Sequence, residues 1–404
     1  MELNLERIKK AQENIKEVVR KTPMFHTSTF SKKCNCNVYL KCENKQKTGA
    51  FKLRGAYNKL VNLTEEEKKR GVIASSAGNH AQGVAFAATS FNVKSTIVMP
   101  LTAPQAKVAA TKGYGAEVIQ AGQVYDECHD KAVEVQKETG ATFLEPFNDI
   151  DVMAGQGTIA LEMLEDLPEA DVIVVPIGGG GLISGIAVAA KSIKPSIRIV
   201  GVEPEIVPSA KAALEKGKVT TVPGAKSLAD GISVSTLGDE CFKYIQKYVD
   251  EVVTISEDEI AHAMFQIMER NKLIVEGSGA APLAALLAKK IDGIEGKNVI
   301  ALVSGGNADI ATTAKIIERE LVFEKRRIRF EAELQDKAGT LGALISEVGA
   351  MGGNVVTVRQ NSNWNERGLE SADVSFEITV QSQEHGESII KSLRDKGYVI
   401  NIKK

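Results

Sequence analysis

Residues 171–191 read DVIVVPIGGGGLISGIAVAAK, and the fold follows from them. After Asp171 the next six are apolar and rich in β-branched side chains, as in a strand buried on both faces. Four glycines, Gly178, Gly179, Gly180 and Gly181, come next, and Leu182 then opens an alanine-rich stretch of helical period. Strand, glycine turn and helix in that order make one unit of a parallel α/β sheet. Glycines let the backbone approach an anion closely, and the N–H groups of the helix's first turn converge on it. The spacing predicts a phosphate cradle, with a tight turn set by packing as the alternative. Glu203, ending the next apolar run IRIVGVE, stands where a ribose-binding acid would lie, but the dinucleotide fingerprint GxGxxG fails. Its third glycine falls on Ile183 or Ser184, depending on the starting glycine. No Lys-Ser/Thr pair follows the glycines, so a P-loop fails as well. A lone phosphate fits better than a pyrophosphate.

The same alternation extends outward from this segment. GVIAS (71–75), STIVMP (95–100), AEVIQ (116–120), IRIVGVE (197–203) and NVIALVS (298–304) read as buried strands separated by helical patterns. Such a chain forms parallel sheets covered by helices, with chemistry at the loops leaving the strands' carboxyl ends. Three of those loops are small and polar: SSAGNHAQG (75–83), GGGGLISG (178–185) and SGGNAD (304–309). After residue 320 the pattern changes. ELVFEKRRIRF (320–330) reads as a charged hinge entering a strand, and a βαββαβ order of ferredoxin-like type follows. The predicted organisation is an α/β domain over 1–320, with a smaller subdomain at about 50–150, and a hinge and small domain over 321–404.

Several side chains stand out. Lys52 lies between Phe51 and Leu53, just after Thr48-Gly49-Ala50. A lysine flanked by apolar residues is a candidate for burial, a lowered pKa and Schiff-base chemistry, with a snorkelling helix lysine as the alternative. Ser76, Ala77, Asn79 and His80 cluster at a strand-to-helix turn suited to a carboxylate or phenolate oxygen. His80 reads either as a general base or as a structural histidine. Ser304 places the same small, polar chemistry in the third loop.

Composition sets the outer bounds. The chain has 404 residues, with 50 Lys plus Arg against 52 Asp plus Glu, so its formal charge is -2 and it is not a strongly basic nucleic-acid binder. No apolar run approaches the roughly 18 to 20 residues that span a bilayer. The amphipathic, charged start MELNLERIKKAQENIKEVVRK does not read as a signal peptide. Five scattered cysteines, Cys34, Cys36, Cys42, Cys128 and Cys241, lack the spacing of a disulfide framework or a zinc site. A cytoplasmic protein with reduced thiols, no metal, and no membrane or nucleic-acid partner is expected.

The motifs together resemble the fold-type II pyridoxal-phosphate enzymes, in their threonine/serine dehydratase branch. The resemblance runs in family order through TPMFHTSTFSKKCNCNVYLKCENKQKTGAFKLRGA, SAGNHAQG, MPLTAPQAK, GYGAEVI, EPFNDIDVMAGQGT, GGGGLISG, SLADGISV and SGGN, over residues 8 to 320. The tail resembles an ACT domain, a module that senses amino acids. The resemblance implies pyridoxal 5'-phosphate as cofactor, with Lys52 as its Schiff-base lysine and Phe51 packed by the ring. It places Asn79 at the ring's phenolic oxygen, Gly178 to Gly181 and Leu182 around the phosphate, and Ser304 at the pyridine nitrogen. Ser76, Ala77, Asn79 and His80 would line the substrate carboxylate, with Asn148 nearby.

The implied activity is deamination of L-threonine to 2-oxobutyrate and ammonia, with L-serine as a further substrate. The implied effector is a small amino acid, isoleucine if the role is biosynthetic. It would be held by Asp336, Gly339 and Asn354 of a homo-oligomer, a dimer or tetramer. The alternatives are a serine-preferring dehydratase or racemase, a β-replacement enzyme, and a catalytically silent amino-acid sensor. Ala77 stands where serine racemases carry a serine that acts on the opposite face of the substrate, which favours elimination. DKAGTLGAL (336–344) keeps Asp336 and Gly339 of the ACT pattern but lacks its proline.

Overall fold

A computed structural model describes residues 2–361 and 371–403. The chain forms two compact units, Met1–Asp309 and Ile310–Lys404. The first unit holds two sheets. The larger has the strand order Met24–His26, Asn37–Cys42, Asn298–Val303, Val172–Pro176, Arg198–Pro204, Glu251–Ile255. Its first pair is antiparallel and all its other pairs are parallel. The smaller sheet is wholly parallel, in the order Glu117–Gln120, Ser95–Met99, Val72–Ser75, Thr142–Phe143. Every residue of Val172–Pro176 and of Val72–Ser75 is buried, which is why these strands read as unbroken apolar runs.

One helix links the parts that carry the chemistry. Ile150–Asp166 packs against both Lys52–Asn62 and Gly181–Ile193. A Cβ on Gly155 would meet the Gly55 Cα at 2.7 Å, and one on Gly157 would meet the Gly185 carbonyl oxygen at 2.8 Å. Both helices therefore rest on the same third helix at backbone contact, which only glycine permits at these positions. The helix that starts at Lys52 and the helix that leaves the glycine loop thus share one rigid support.

The stretch read as a charged hinge is partly helical. Ile310–Phe323 is a helix, and only residues 324–326 turn before the strand Arg327–Gln335. Apolar residues at 316, 317 and 321 continue the helical period past residue 320, and the intervening charges obscured it. The second unit has an antiparallel sheet in the order Asn354–Asn361, Ser371–Thr379, Arg327–Gln335, Val399–Lys403, with helices Thr340–Ala350 and Gln383–Asp395. Phe330, Ala332 and Leu334 alternate into its core with Val374, Phe376 and Ile378, and Phe330 stacks on Phe376 at 5.0 Å between centroids. The order is the expected βαββαβ. No helix among the described residues is long and apolar enough to cross a membrane.

Candidate active site

The loop after Asn298–Val303 is zipped to the residues preceding Lys52. Ala50 and Gly305 form an antiparallel bridge, Phe51 N–H donates to the Ser304 carbonyl at 3.1 Å, and Gly306 N–H donates to that of Gly49 at 2.9 Å. Ser304, 2% exposed, is thereby fixed beside the start of the Lys52 helix. The Lys52 amine donates to the Pro146 carbonyl at 2.6 Å and sits 5.4 Å from the centre of the Phe51 ring. Burial lowers its pKa to about 8, against the opposing pull of Cys241 and Glu276. At that value roughly a tenth of the amine is neutral at pH 7, a few hundredfold more than for an ordinary lysine, which suits a nucleophile or base.

Arg54 holds the same helix through a buried charge cluster. Its guanidinium pairs with both oxygens of Glu43, at 2.9 and 2.8 Å, and with both of Glu162, at 2.6 and 3.0 Å. Lys41 pairs with Glu162 at 2.6 Å, so two cations face two anions with no exposure at Arg54, Lys41 or Glu43. The balance of charge and the dense hydrogen bonding make this burial tolerable.

The glycine turn has the form expected of an anion cradle. Gly180 adopts φ +99° and caps the helix Gly181–Ile193. A Cβ on Gly179 would come within 2.3 Å of the Phe147 ring, and one on Gly181 would meet the Phe147 carbonyl at 2.7 Å. Gly178 packs under Ile232, 3.0 Å from where its Cβ would be, and Leu182 joins the core behind the turn. The first-turn N–H groups at 181–183 have no partner within the helix, so they are available to an oxyanion.

Asn79 and His80 begin the helix Asn79–Ser90 at the end of the strand Val72–Ser75. Asn79 donates from Nδ2 to Glu276 at 2.7 Å and accepts at Oδ1 from Asn307 at 2.8 Å. The His80 ring, 3% exposed, donates from Nε2 to the Leu144 carbonyl at 2.9 Å. Burial, and then the nearby Lys52 charge, push its pKa down to about 3, so the ring is neutral. Its side chain is therefore engaged structurally, while its backbone N–H lies in the helix's first turn, where N–H groups lack a partner within the helix. The Ser76 hydroxyl accepts from Gly78 N–H at 3.1 Å. Ala77 places a methyl group in this turn.

The Asn148 amide is engaged at another helix end. Its Nδ2 donates to Asp239 at 2.7 Å and its Oδ1 accepts from Glu240 N–H at 3.1 Å, capping the helix Asp239–Tyr248. Both ends of the amide are used there, beside the loop that carries Gly238. Glu203 caps in the same manner: it accepts from the N–H groups of Ala210 and Lys211 at 2.7 and 3.0 Å, while burial raises its pKa to about 7. In the second unit, exposed Asp336 and Gly339 lie at the start of the helix Thr340–Ala350, and Asn354 lies beyond its far end. Eleven residues at 1.5 Å each separate them by about 16 Å.

Four contributors were not singled out by the sequence. The Pro146 carbonyl and the Phe147 ring come from one loop, while Glu276 and Asn307 flank Asn79. Asn307 lies inside the SGGN motif and Glu276 inside VEGSGAAP, so both could have been suspected from loop membership. Glu276 is buried, which raises its pKa to about 7, with Asp230 adding to the rise and the Asn79 donor opposing it.

A buried amine, an anion cradle closed to any Cβ and an amide donor on the same loop set suit an aldehyde-bearing aromatic phosphate. The model of the pyridoxal-phosphate dependent enzymes matches residues 15–305. The chain belongs to this family. As a pyridoxal-phosphate-dependent enzyme it takes pyridoxal 5'-phosphate, whose aldehyde, phosphate and ring oxygen the set can accommodate. An L-threonine ammonia-lyase of Thermotoga maritima is 46% identical over 400 residues, 99% of each chain. Among solved structures of the family, maize serine racemase gives a TM-score of 0.75 at 38% identity, covering 80% of this chain and 99% of that one. The processed form of threonine deaminase isoform 2 from Solanum lycopersicum gives 0.74 at 36%, covering 78% and 86%.

Proposed function

We infer that this pyridoxal-phosphate-dependent enzyme is an L-threonine ammonia-lyase, converting L-threonine to 2-oxobutyrate and ammonia and accepting L-serine to give pyruvate. The observation that carries the reading is the sheltered Lys52 amine, held by the Pro146 carbonyl and near enough to His80 to lower its pKa, beside a turn where Ala77 offers no acid or base. The full-length match to a threonine ammonia-lyase supports it. In this reading Lys52 would hold the cofactor covalently, the glycine turn and Leu182 would hold its phosphate, Phe51 would pack by its ring, Asn79 would donate to its ring oxygen, and Ser304 would face its ring nitrogen. Bound there, pyridoxal phosphate supplies an electron sink for charge developing at Cα.

The first-turn N–H groups of Asn79–Ser90 and the Ser76 hydroxyl orient the substrate carboxylate. With substrate bound, the Lys52 amine would take the Cα proton from its own face. The Pro146 carbonyl gives that amine a fixed resting place and direction. The Phe51 and Phe147 rings keep water from the reacting carbon. Loss of the β-hydroxyl as water leaves 2-aminocrotonate, which hydrolyses in solution to the oxoacid and ammonia. On the other face Ala77 cannot return a proton, so elimination outruns racemisation.

The second unit is proposed to be an ACT-type sensor of a small amino acid, isoleucine in a biosynthetic setting. Asp336 and Gly339 lie about 16 Å from Asn354 along one helix, too far for a small ligand to touch both. Two copies side by side can supply one end each, so the proposed enzyme is a cytoplasmic homo-oligomer. The test is product analysis on L-threonine, L-serine and D-serine, with and without L-isoleucine. Oxoacid release from the L-substrates without D-serine formation is expected, with isoleucine lowering it. D-serine as the main product would replace the lyase with a racemase. No oxoacid from a cofactor-loaded protein would sink the substrate assignment.

A further inference from the structure

An asparagine amide has an oxygen end that accepts and a nitrogen end that donates, and which end meets a ligand depends on its other partners. In this protein the choice is made by a chain that starts on the backbone. The Asn307 Nδ2 donates to the Thr48 carbonyl at 2.9 Å and to the Asn79 Oδ1 at 2.8 Å, which uses both of its protons. A carbonyl oxygen can only accept, so the first bond fixes which end of Asn307 is nitrogen. That in turn fixes the Asn79 oxygen as the end turned towards Asn307. The Asn79 Nδ2 then gives one proton to Glu276 at 2.7 Å and keeps one for a ligand. Gly49 is built around this chain: it adopts φ +75°, and a Cβ there would collide with the Asn307 carboxamide.

Glu276 could not set this polarity alone. It is deeply buried beside Asp230, and its pKa of about 7 lets it change from acceptor to donor near neutrality, whereas the Thr48 carbonyl never changes. We propose that Asn307 is a positioning residue that locks Asn79 with its N–H, never its carbonyl, towards the ring oxygen of pyridoxal phosphate. This rests on the placement of Asn79 against that oxygen argued above. An N–H given to the ring oxygen favours its anionic form, so losing the donor raises the pH at which the bound cofactor's visible absorbance titrates. The Glu276 charge acts independently by stabilising the protonated form, and its removal lowers that pH; Asp230, Lys107 and the Lys52 amine are the charged groups coupled to Glu276.

The test is the absorbance titration of holoenzyme variants, read together with their affinity for pyridoxal phosphate. Glu276→Gln should lower the midpoint. Adding Asn307→Ala to it should raise the midpoint again by about one pH unit, the scale of one hydrogen bond to a charged group. Asn307→Leu fills the same volume without a donor and should do the same, which keeps the result readable if the alanine leaves a hole. Asn79→Ala is the control and should raise the midpoint by itself. If Asn79→Ala shifts it and neither Asn307 variant does, the role of Asn307 is overturned. If Asn79→Ala leaves it unmoved, the placement of Asn79 fails, and the inference with it.

Discussion

The Lys52 amine donates to the Pro146 carbonyl across a 2.6 Å hydrogen bond. The two residues are 94 positions apart, and the bond joins the start of the Lys52 helix to the loop that also carries Phe147. It leaves the amine sheltered without a paired carboxylate, which is why burial dominates its pKa.

Capture of the cofactor should therefore follow the neutral amine. Apoenzyme mixed with pyridoxal phosphate is expected to bind it covalently at a rate that rises with pH and is half-maximal near pH 8. Stopped-flow absorbance measures this. A rate still climbing steeply at pH 10, the ordinary lysine range, would contradict the burial of Lys52.

His80 should cost the protein stability in acid. Its folded pKa of about 3 lies below the usual 6.5, so between those values the unfolded chain takes up a proton that the folded one refuses. Stability from this group is complete above 6.5 and falls as pH drops, by about 2 kcal/mol at pH 5. His80→Gln retains a donor for the Leu144 carbonyl and does not titrate. Urea unfolding at pH 7.5 and pH 5 should show the wild type losing about 2 kcal/mol more than this variant.

The glycine cradle should not tolerate a methyl group. Gly179→Ala puts a Cβ against the Phe147 ring and displaces the turn, so the affinity for pyridoxal phosphate should fall at least about tenfold, a change worth 1.4 kcal/mol. Combining it with Phe147→Ala restores room and should recover part of the affinity. Equilibrium titration of the apoenzyme decides this.

Arg54→Ala should destabilise the fold by about 3 to 5 kcal/mol, because it leaves Glu43 and Glu162 buried with Lys41 as their remaining cation. Chemical denaturation reads the loss. Arg54→Lys should recover little, since an ammonium cannot meet two carboxylates in the fork geometry seen here.

The parallel sheets and the three strand-end loops were legible because each leaves a local mark: apolar β-branched runs, glycines where the backbone must come close, and small polar residues at helix starts. Lys52 was legible from its apolar neighbours. The roles of Glu276 and Asn307 were not, because each arises from contacts with Asn79 across 197 and 228 positions. The opposite case is Asn148, whose motif suggested the substrate while its amide is occupied at a helix cap. The end of the helix Ile310–Phe323 was missed because dense charge hid its period.

The most direct test is 2-oxobutyrate release from L-threonine by cofactor-loaded wild type and by Lys52→Ala. Steady release by the wild type and its loss in the variant, together with loss of the covalent cofactor absorbance, are the predicted results. Undiminished release by Lys52→Ala would contradict the account at its centre.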